Sequence, residues 1–357
     1  MCRSYDGVVI AGYGETGVVK ETDRDTLSFF AEAIELALAS AGVDGSDVDG
    51  MALGSFTLAP DHPIHAVEQL GFDLRWFEAA EPGGAAGITS ILHAARAIQA
   101  GDASVVVCAA ADVLTTASLR DLNAQFSTAM SNPNAAFAAI QRRHMEMYGT
   151  TLEQLGAVSV ASRFHGALNP QALFQAEITL DDYSSSRMIA EPIRLLDCVH
   201  PGAGGAAVVL RAGAGGVRIT AGAERHGATE TLAFGWTTMS ADVERVDAVQ
   251  LYDDYPIMIL IQLEDLGFCG KGDGGPFVER TNLRFDGELP LNTGGGMLSC
   301  GQAGAAGGYV APIEAIRQLR GEGGRRQVER AQTILVSGLG MIGSEVPLST
   351  AMAIFSR

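Results

Sequence analysis

Residues 83–111 read GGAAGITSILHAARAIQAGDASVVVCAAA. A glycine-rich turn leads into a long helix with apolar residues at helical spacing, and Ser104–Ala111 follows as a buried strand of the parallel-sheet kind. The same order returns towards the C-terminus. There Gly301–Gly321 pairs a glycine turn with a helix, and Thr333–Gly340 (TILVSGLG) supplies the buried strand. These two segments predict two related α/β units in one chain.

Two further pairs of elements extend the repeat. The strand at Val48–Phe56 (VDGMALGSF) has a counterpart in Val246–Tyr255 (VDAVQLYDDY). The first apolar run, Val8–Ala11, has a counterpart in Val217–Gly222 (VRITAG). Four matched elements in the same order predict a duplicated α/β fold, since chance alternation of strands and helices does not readily repeat such a plan.

The repeat also divides the chain. We expect an N-terminal half at residues 1–210 and a C-terminal half at residues 211–357. A region at about 115–186 matches neither half and contains helical stretches at Ala135–Tyr148 and Leu152–His165. We interpret it as a loop or cap insertion on the first half, of the kind that covers an active site.

Composition excludes several classes of partner. The formal net charge is −18 over 357 residues, and an acidic surface repels nucleic acid phosphates and anionic lipid.

The N-terminus has no apolar stretch of signal-peptide length, and no run approaches the roughly 18 apolar residues of a membrane span. The five cysteines are scattered without CxxC spacing, which argues against disulfides and a metal site. A cytoplasmic protein is expected.

Residues Gly12–Gly17 fit the dinucleotide-binding pattern GxGxxG. In that motif the helix opens directly after the glycines, so that its N-terminus meets the pyrophosphate. Here VVKETDRD intervenes before the helix. The pattern is weak support for a nicotinamide or flavin site, and no tightly bound cofactor is expected.

Three longer stretches carry a family resemblance: SRMIAEPIRLLDC (186–198), LYDDYPIMILIQLEDLGFCGKGDGG (251–275) and LPLNTGGGMLSCGQAGAAGG (289–308). In this order they resemble the sterol-carrier-protein or lipid-transfer type branch of the thiolase superfamily. The resemblance implies a duplicated five-layer αβαβα thiolase fold and a homodimer. It agrees with the internal repeat.

The same resemblance locates three altered chemical positions. Thiolases of this branch carry a nucleophilic Cys in a CxSG-like turn at a helix N-terminus, where the helix favours the thiolate. That turn falls on Gly84–Gly87, which puts Gly84 at the nucleophile position. The family's GHP motif reads Gly301–Ala303, and its Gln302 donates a hydrogen bond but shuttles no proton. The late cysteine loop reads Gly338–Met341. Claisen chemistry through an acyl-cysteine is therefore not expected.

A retro-aldol cleavage of a β-hydroxyacyl-CoA needs no covalent nucleophile, but it needs a base, an enolate site and an acid. The chain is similar to cysteine-less thiolase-like aldolases in having Gly84 and the triplet Leu251–Asp253. That similarity implies Tyr252 as an acid/base, and Asp253 is a candidate for orienting it. A second tyrosine of those aldolases is missing here, and Tyr255 and Tyr309 are the alternatives.

The candidate catalytic residues are thus Tyr252, Asp253 and Gln302, and the candidate substrate-binding residues are Gly84, Tyr255, Cys300 and His200. We expect an enzyme, an acyl-CoA carbon–carbon lyase. Two alternatives stay open: a non-catalytic acyl-CoA-binding or scaffold subunit, and an acetyl-CoA acetyltransferase-type acyltransferase using a non-standard residue such as Cys300. The resemblance also implies a separate zinc-ribbon/OB-fold partner protein, and a coenzyme A thioester as substrate.

Overall fold

The computed structural model describes residues 5–59, 61–80, 83–125, 132–227, 232–235, 245–343 and 346–357. Part of the predicted insertion, 126–131, lies outside these ranges. The strands are β1 (Val8–Glu15), β2 (Gly50–Gly54), β3 (Trp76–Ala79), β4 (Val105–Val113), β5 (Met188–Ala190), β6 (Ile193–Arg194), β7 (Ala203–Ala212), β8 (Val217–His226), β9 (Ala248–Gln250), β10 (Thr333–Ile342) and β11 (Pro347–Ser356). The helices are α1 (Thr26–Ala41), α2 (Pro63–Leu70), α3 (Ala86–Ala100), α4 (Thr116–Gln125), α5 (Pro133–Tyr148), α6 (Leu152–Leu168), α7 (Leu180–Ser185), α8 (Pro256–Leu266), α9 (Gly274–Arg280), α10 (Gly296–Cys300) and α11 (Val310–Arg320).

Sheet topology repeats between the two halves. Nine strands pair in the order β3-β2-β4-β7-β1-β8-β11-β10-β9. Going outward from the junction, β1-β7-β4-β2 and β8-β11-β10-β9 have the same relative directions: two antiparallel pairs and then a parallel pair. The predicted duplication is confirmed in this topology. The halves join where β1 pairs antiparallel with β8 through Val9 and Ile10. A division at residue 210 stays a prediction, and that residue lies near the end of β7.

Three apolar clusters define the layers. In β4, Cys108 faces a central cluster formed with α3 and α11, whereas Val107 faces α1 on the opposite side. In β10, Val336 faces the same central cluster, and Leu335 faces α8. The side chains of alternating strand residues thus pack into different layers. The order is α1, first sheet half, α3 with α11, second sheet half, α8 with α5 and α6, which is the expected five-layer αβαβα arrangement.

Helix α3 anchors the centre. Ile88, Ile91 and Leu92 on it are fully buried, and burying each side chain stabilises the fold by about 1.5–3 kcal/mol. The helix ends at Gly101, whose left-handed conformation lets its N–H cap the last turn. Burial along the helix and the cap at its C-terminal end therefore hold α3 in the central layer.

The glycines of the GxGxxG stretch serve helix packing. A Cβ atom on Gly12 would lie less than 3.0 Å from the backbone of Ala41, and one on Gly14 would do so at Ala33. Helix α1 can therefore lie directly against β1. Its N-terminus is capped by Asp25, which accepts a hydrogen bond from the Ser28 N–H at 2.8 Å.

The insertion forms the two expected helices. Helix α5 begins at Pro133 and α6 ends at Leu168, and both pack against α8 in the C-terminal outer layer. Within the described ranges, no helix combines the length and apolar character needed to cross a bilayer. The same residues contain no group of three or more His, Cys, Asp or Glu side chains placed to hold a metal ion.

Candidate active site

A cavity of about 360 Å³ lies where the two glycine turns, the end of β9 and the insertion meet. The first glycine turn contributes Gly84 and the second contributes Gln302, while Tyr252 and Tyr255 come from the connection between β9 and α8. Most of the remaining wall is apolar and includes Phe56, Leu119, Leu122, Phe137, Ile189 and Ile342. The insertion therefore lines the cavity, as a cap would.

Both glycine turns meet through their backbones. Gly84 lies in the short 3-10 turn Gly83–Ala85 that leads into α3. A Cβ atom on Gly87 would lie less than 3.0 Å from the carbonyl oxygen of Gly308, which precedes α11. This approach brings the two related turns to one wall of the cavity, although they are more than 200 residues apart in sequence.

Tyr252 fills the space next to Gly84. A Cβ atom built on Gly84 would lie less than 3.0 Å from the phenolic oxygen and ring carbons of Tyr252. A side chain at position 84 and the Tyr252 ring cannot occupy the cavity together without movement. The altered position in the first turn is thus coupled directly to the tyrosine of the LYD triplet.

The backbone of Tyr252 is held from two sides. Strand β9 ends at Gln250, so the chain has left the sheet before residue 252. Ser337 on β10 accepts a hydrogen bond from the Tyr252 N–H at 3.2 Å. Gln262 on α8 donates one to the Tyr252 carbonyl at 2.7 Å. These side chains satisfy backbone groups that lack a strand partner. They thereby fix the backbone position from which the Tyr252 side chain extends.

Gln302 contacts the phenol from the second turn. Its Nε2 donates a hydrogen bond to the Tyr252 oxygen at 3.0 Å. The Gln302 backbone is itself anchored, because its N–H donates to the carbonyl of His200 at 2.9 Å and its carbonyl accepts from Gly202 at 3.1 Å. The amide is therefore placed as a hydrogen-bond donor at the centre of the site.

The Tyr252 hydroxyl is neutral near neutral pH. Burial raises the pKa of Tyr252 well above its ordinary value, and the nearby Asp254 carboxyl adds to this, while the hydrogen bond from Gln302 opposes it. A phenol in this state donates a proton or a hydrogen bond and does not accept a proton. The protonated state favours an acid role over a base role for Tyr252.

Asp253 faces away from the cavity. Its carboxylate accepts a hydrogen bond from the Met297 N–H at 2.8 Å, at the start of α10. Burial raises the pKa of Asp253 to about 7, although hydrogen bonds from Met297, Leu298 and Asn292 oppose the rise. The structure gives Asp253 no contact with the Tyr252 hydroxyl. Its position fits a structural role that ties the β9–α8 connection to α10.

Tyr255 and Tyr309 have different surroundings. Tyr255 lines the cavity, stacks on Phe137 with ring centroids 4.2 Å apart, and donates a hydrogen bond to Asn134 Oδ1 at 2.7 Å. Tyr309 is fully buried in the central apolar cluster. Of the two alternatives for a second tyrosine, Tyr255 is therefore the one at the site.

Cys300 and His200 lie outside the cavity. Cys300 lines a separate small cavity of about 40 Å³, and its thiol donates to the Gly294 carbonyl at 3.3 Å. Burial, reinforced by Glu15, raises the pKa of the Cys300 thiol beyond its usual range, which disfavours a nucleophilic thiolate. The His200 ring hydrogen-bonds the Pro201 carbonyl at 2.6 Å and packs edge-on against Phe174.

Three polar residues of the cavity were not identified from the sequence. Asp254, Asn132 and Asn134 all line it. Asp254 directly follows the LYD triplet. The two consecutive acidic residues were the sequence signal that could have identified it. Asn134 lies within the insertion, where no motif marked it. Its Oδ1 accepts from Tyr255 and, at 3.6 Å, from the thiol of Cys198.

Proteins with related sequences match most of the length of this chain. The family model described as thiolase C-terminal domain-like matches residues 230–357. The chain is 35% identical over 356 residues to a 17-hydroxy-3-oxo-4-pregnene-20-carboxyl-CoA lyase of Mycobacterium tuberculosis, covering 87% of this chain and 91% of the relative. It is 31% identical to a steroid side-chain-cleaving aldolase of Thermomonospora curvata, covering 93% and 95%.

Solved structures agree. An Ltp2-ChsH2(DUF35) aldolase superposes with a TM-score of 0.80 at 31% identity, covering 98% of each chain. A monomeric SCP2-thiolase-like protein of Mycobacterium smegmatis shares the fold with a TM-score of 0.73 at 18% identity, covering 99% of this chain and 78% of that one. The chain belongs to the thiolase superfamily, in its sterol carrier protein 2 type branch.

Proposed function

We propose that the protein is an acyl-CoA carbon–carbon lyase that cleaves a β-hydroxyacyl-CoA by a retro-aldol reaction. The observation that carries this proposal is the placement of the Tyr252 phenol in the space beside Gly84. An acid thus stands where a thiolase of this branch has its nucleophile. The relatives named as lyase and aldolase support the same reaction class. The acyltransferase alternative has less support, because Cys300 faces a different cavity.

The site contains the parts that an enolate needs. Retro-aldol cleavage leaves a thioester enolate, which requires hydrogen-bond donors at oxygen and a proton at carbon. Gln302 Nε2 is a donor at the Tyr252 hydroxyl. The N-terminus of α3 lies next to Gly84 and has no side-chain cap, so its backbone N–H groups favour negative charge. Tyr252 supplies the proton to the α-carbon.

The apolar wall fits a bulky leaving ketone. Leu119 and Leu122 from α4, Phe137 from α5, and Phe56 and Ile342 surround the polar groups. Apolar walls with a few convergent polar groups are typical of small-molecule sites of this size. One relative is named for a 17-hydroxy steroid carboxyl-CoA. We infer a coenzyme A thioester whose β-carbon belongs to a polycyclic or similarly bulky apolar ring system.

The proposal also includes a separate partner protein and a second copy of this chain. The solved aldolase is named as an assembly with a DUF35 protein, which suits the zinc-ribbon/OB-fold partner expected from the sequence. Strand β3 is the last strand at one edge of the described sheet. An open sheet edge can pair with another chain, which supports a homodimer.

A cleavage assay tests the function. The chain, with a DUF35-type partner, is incubated with a tertiary β-hydroxyacyl-CoA that carries a bulky ring, and the products are quantified by mass spectrometry. We expect equal amounts of ketone and shortened acyl-CoA, with no acyl group on the protein. Absence of ketone under conditions where the substrate is bound would overturn the proposal.

A further inference from the structure

A carboxyl group of the cavity has no assigned role in this reaction. Asp254 lies between β9 and α8 and lines the cavity with Tyr252 and Gln302. It is 7% exposed. The preceding Asp253 points to the start of α10 instead. Two consecutive acids therefore diverge, and Asp254 is the one directed to the reacting region.

One oxygen of Asp254 is left without a partner. Its Oδ1 is buried and accepts no hydrogen bond from the described residues. Buried polar atoms are nearly always paired, and an orphaned one in a native structure calls for a functional explanation. Because Asp254 lines a substrate-sized cavity, this unpaired acceptor is suited to the hydroxyl group of a ligand.

The other titratable groups of the cavity are poor bases. Among its described lining residues these are Tyr252, Tyr255 and Cys198. Burial raises the pKa of both phenols well above the ordinary range, and it raises the pKa of Cys198 to about 12. All three therefore stay protonated near neutral pH. The Tyr255 hydroxyl also donates a hydrogen bond to Asn134 Oδ1.

Asp254 differs from these three groups in its ordinary range, because an unperturbed aspartate has a pKa of about 4. Burial, and then the neighbouring Asp253, raise its pKa well above that of an ordinary aspartate, while the Tyr255 N–H favours the ionised form. A raised carboxyl pKa moves towards the operating range of a general base. Among the described residues, no lysine or arginine contributes to this shift, so none of them holds the group as a permanently paired carboxylate.

We propose that Asp254 is the general base that removes the β-hydroxyl proton of the substrate. This inference rests on the proposed lyase function and deepens it. The hydroxyl of the bound thioester donates to the unpaired Oδ1, and Tyr252 and Asp254 act as an acid and a base on the two sides of the breaking bond.

The step balances without an added reactant. The Asp254 carboxylate takes the hydroxyl proton, the O–H electrons form the ketone C=O, and the Cα–Cβ bond breaks. Its electron pair forms the thioester enolate. The enolate carbon then takes the Tyr252 proton, and the proton on Asp254 returns to the phenolate directly or through water. One β-hydroxyacyl-CoA gives one ketone and one shortened acyl-CoA.

Asp254→Asn tests the role of the carboxylate, since the amide keeps the size but cannot act as a base. We expect kcat to fall by about 10²–10⁴-fold, the usual contribution of a general base. Binding of a substrate analogue without the β-hydroxyl should be unchanged. Asp265→Asn is the matched control, because Asp265 is a buried carboxylate on α8 bound to Lys271 and the Phe234 N–H, outside the cavity. It should match wild type in kcat.

Chemical rescue is the second measurement. In Asp254→Ala, added formate should restore part of the lost rate, and the wild-type acidic limb of kcat/KM should disappear in both variants. A fall of less than about tenfold in Asp254→Asn, or an unchanged acidic limb, would overturn the inference. If wild type itself releases no ketone, the lyase function fails. If wild type cleaves and Asp254→Asn cleaves as fast, only the base assignment fails.

Discussion

The phenol of Tyr252 occupies the volume into which a side chain at Gly84 would project, with less than 3.0 Å between its oxygen and a Cβ atom built on that glycine. The glycine is therefore a steric requirement for the tyrosine. Loss of the nucleophile and gain of the acid are one structural change, because neither side chain fits beside the other.

Gly84→Ala should disable the site. The added methyl group would overlap the Tyr252 ring, and displacing a catalytic group by about 1 Å costs about 100-fold in rate. Overpacking of this kind also costs about 1–3 kcal/mol of stability. Steady-state kinetics and thermal unfolding measure both effects. Gly45→Ala is the control, since a Cβ there meets nothing closer than 3.9 Å. Full activity in Gly84→Ala would show that Tyr252 does not act from its present position.

Cys300→Ala should leave cleavage unchanged. The thiol faces a separate cavity and donates to the Gly294 carbonyl, so its loss removes no group from the reaction. The rate of ketone release and the intact mass of the protein after brief substrate exposure test this. An acyl adduct that disappears in Cys300→Ala would instead favour an acyltransferase.

A cluster formed by His93, Glu78 and Glu224 predicts that the stability of the fold depends on pH. His93 on α3 hydrogen-bonds Glu224 on β8 at 2.8 Å and Glu78 on β3 at 2.7 Å. These two hydrogen bonds raise the pKa of His93 to about 9, against about 6.5 in an unfolded chain. Because the folded pKa is higher, the stabilisation is complete below about pH 6.5 and is lost as pH rises through about 9.

His93→Gln measures this contribution. The difference in melting temperature from wild type should be largest near pH 6 and should shrink as the pH approaches 9 and above. At low pH the titrating group is Glu224, the partner of His93. Burial alone would raise the pKa of Glu224, but hydrogen bonds from His93 and Arg96 outweigh this effect and lower the pKa to about 2. Its stabilisation is therefore complete above about pH 4.5 and is lost as the pH falls from there through about 2. A difference that stays constant with pH would contradict the charged state of His93.

The repeat in the sequence predicted the fold because its signals are local. Apolar runs, glycine turns and helical spacing identified the matched elements, and the structure confirms their order. The strand expected at Val246–Tyr255 is shorter, ending at Gln250. Its last residues leave the sheet because Ser337 and Gln262 hold the backbone of Tyr252. The junction of β1 with β8 had no sequence signal, since pairing between distant strands is set by tertiary packing.

The site was predicted only in part. The resemblance identified Gly84, Tyr252 and Gln302, which the structure brings together. It could not tell Asp253 from Asp254, because the direction of a side chain is not fixed by alternation once the strand has ended. Cys300 lies two residues from Gln302 in sequence, yet it faces another cavity because the chain turns sharply at Gly301, in a left-handed conformation with φ 86°.

The most direct test of the central claim is the single-turnover rate of carbon–carbon cleavage in Tyr252→Phe. The substitution keeps the ring that fills the space beside Gly84 and removes only the hydroxyl. If Tyr252 is the acid, the rate should fall by about 10²–10⁴-fold, while substrate binding and the thermal transition stay as in wild type. A Tyr252→Phe variant that cleaves at the wild-type rate would contradict the mechanism.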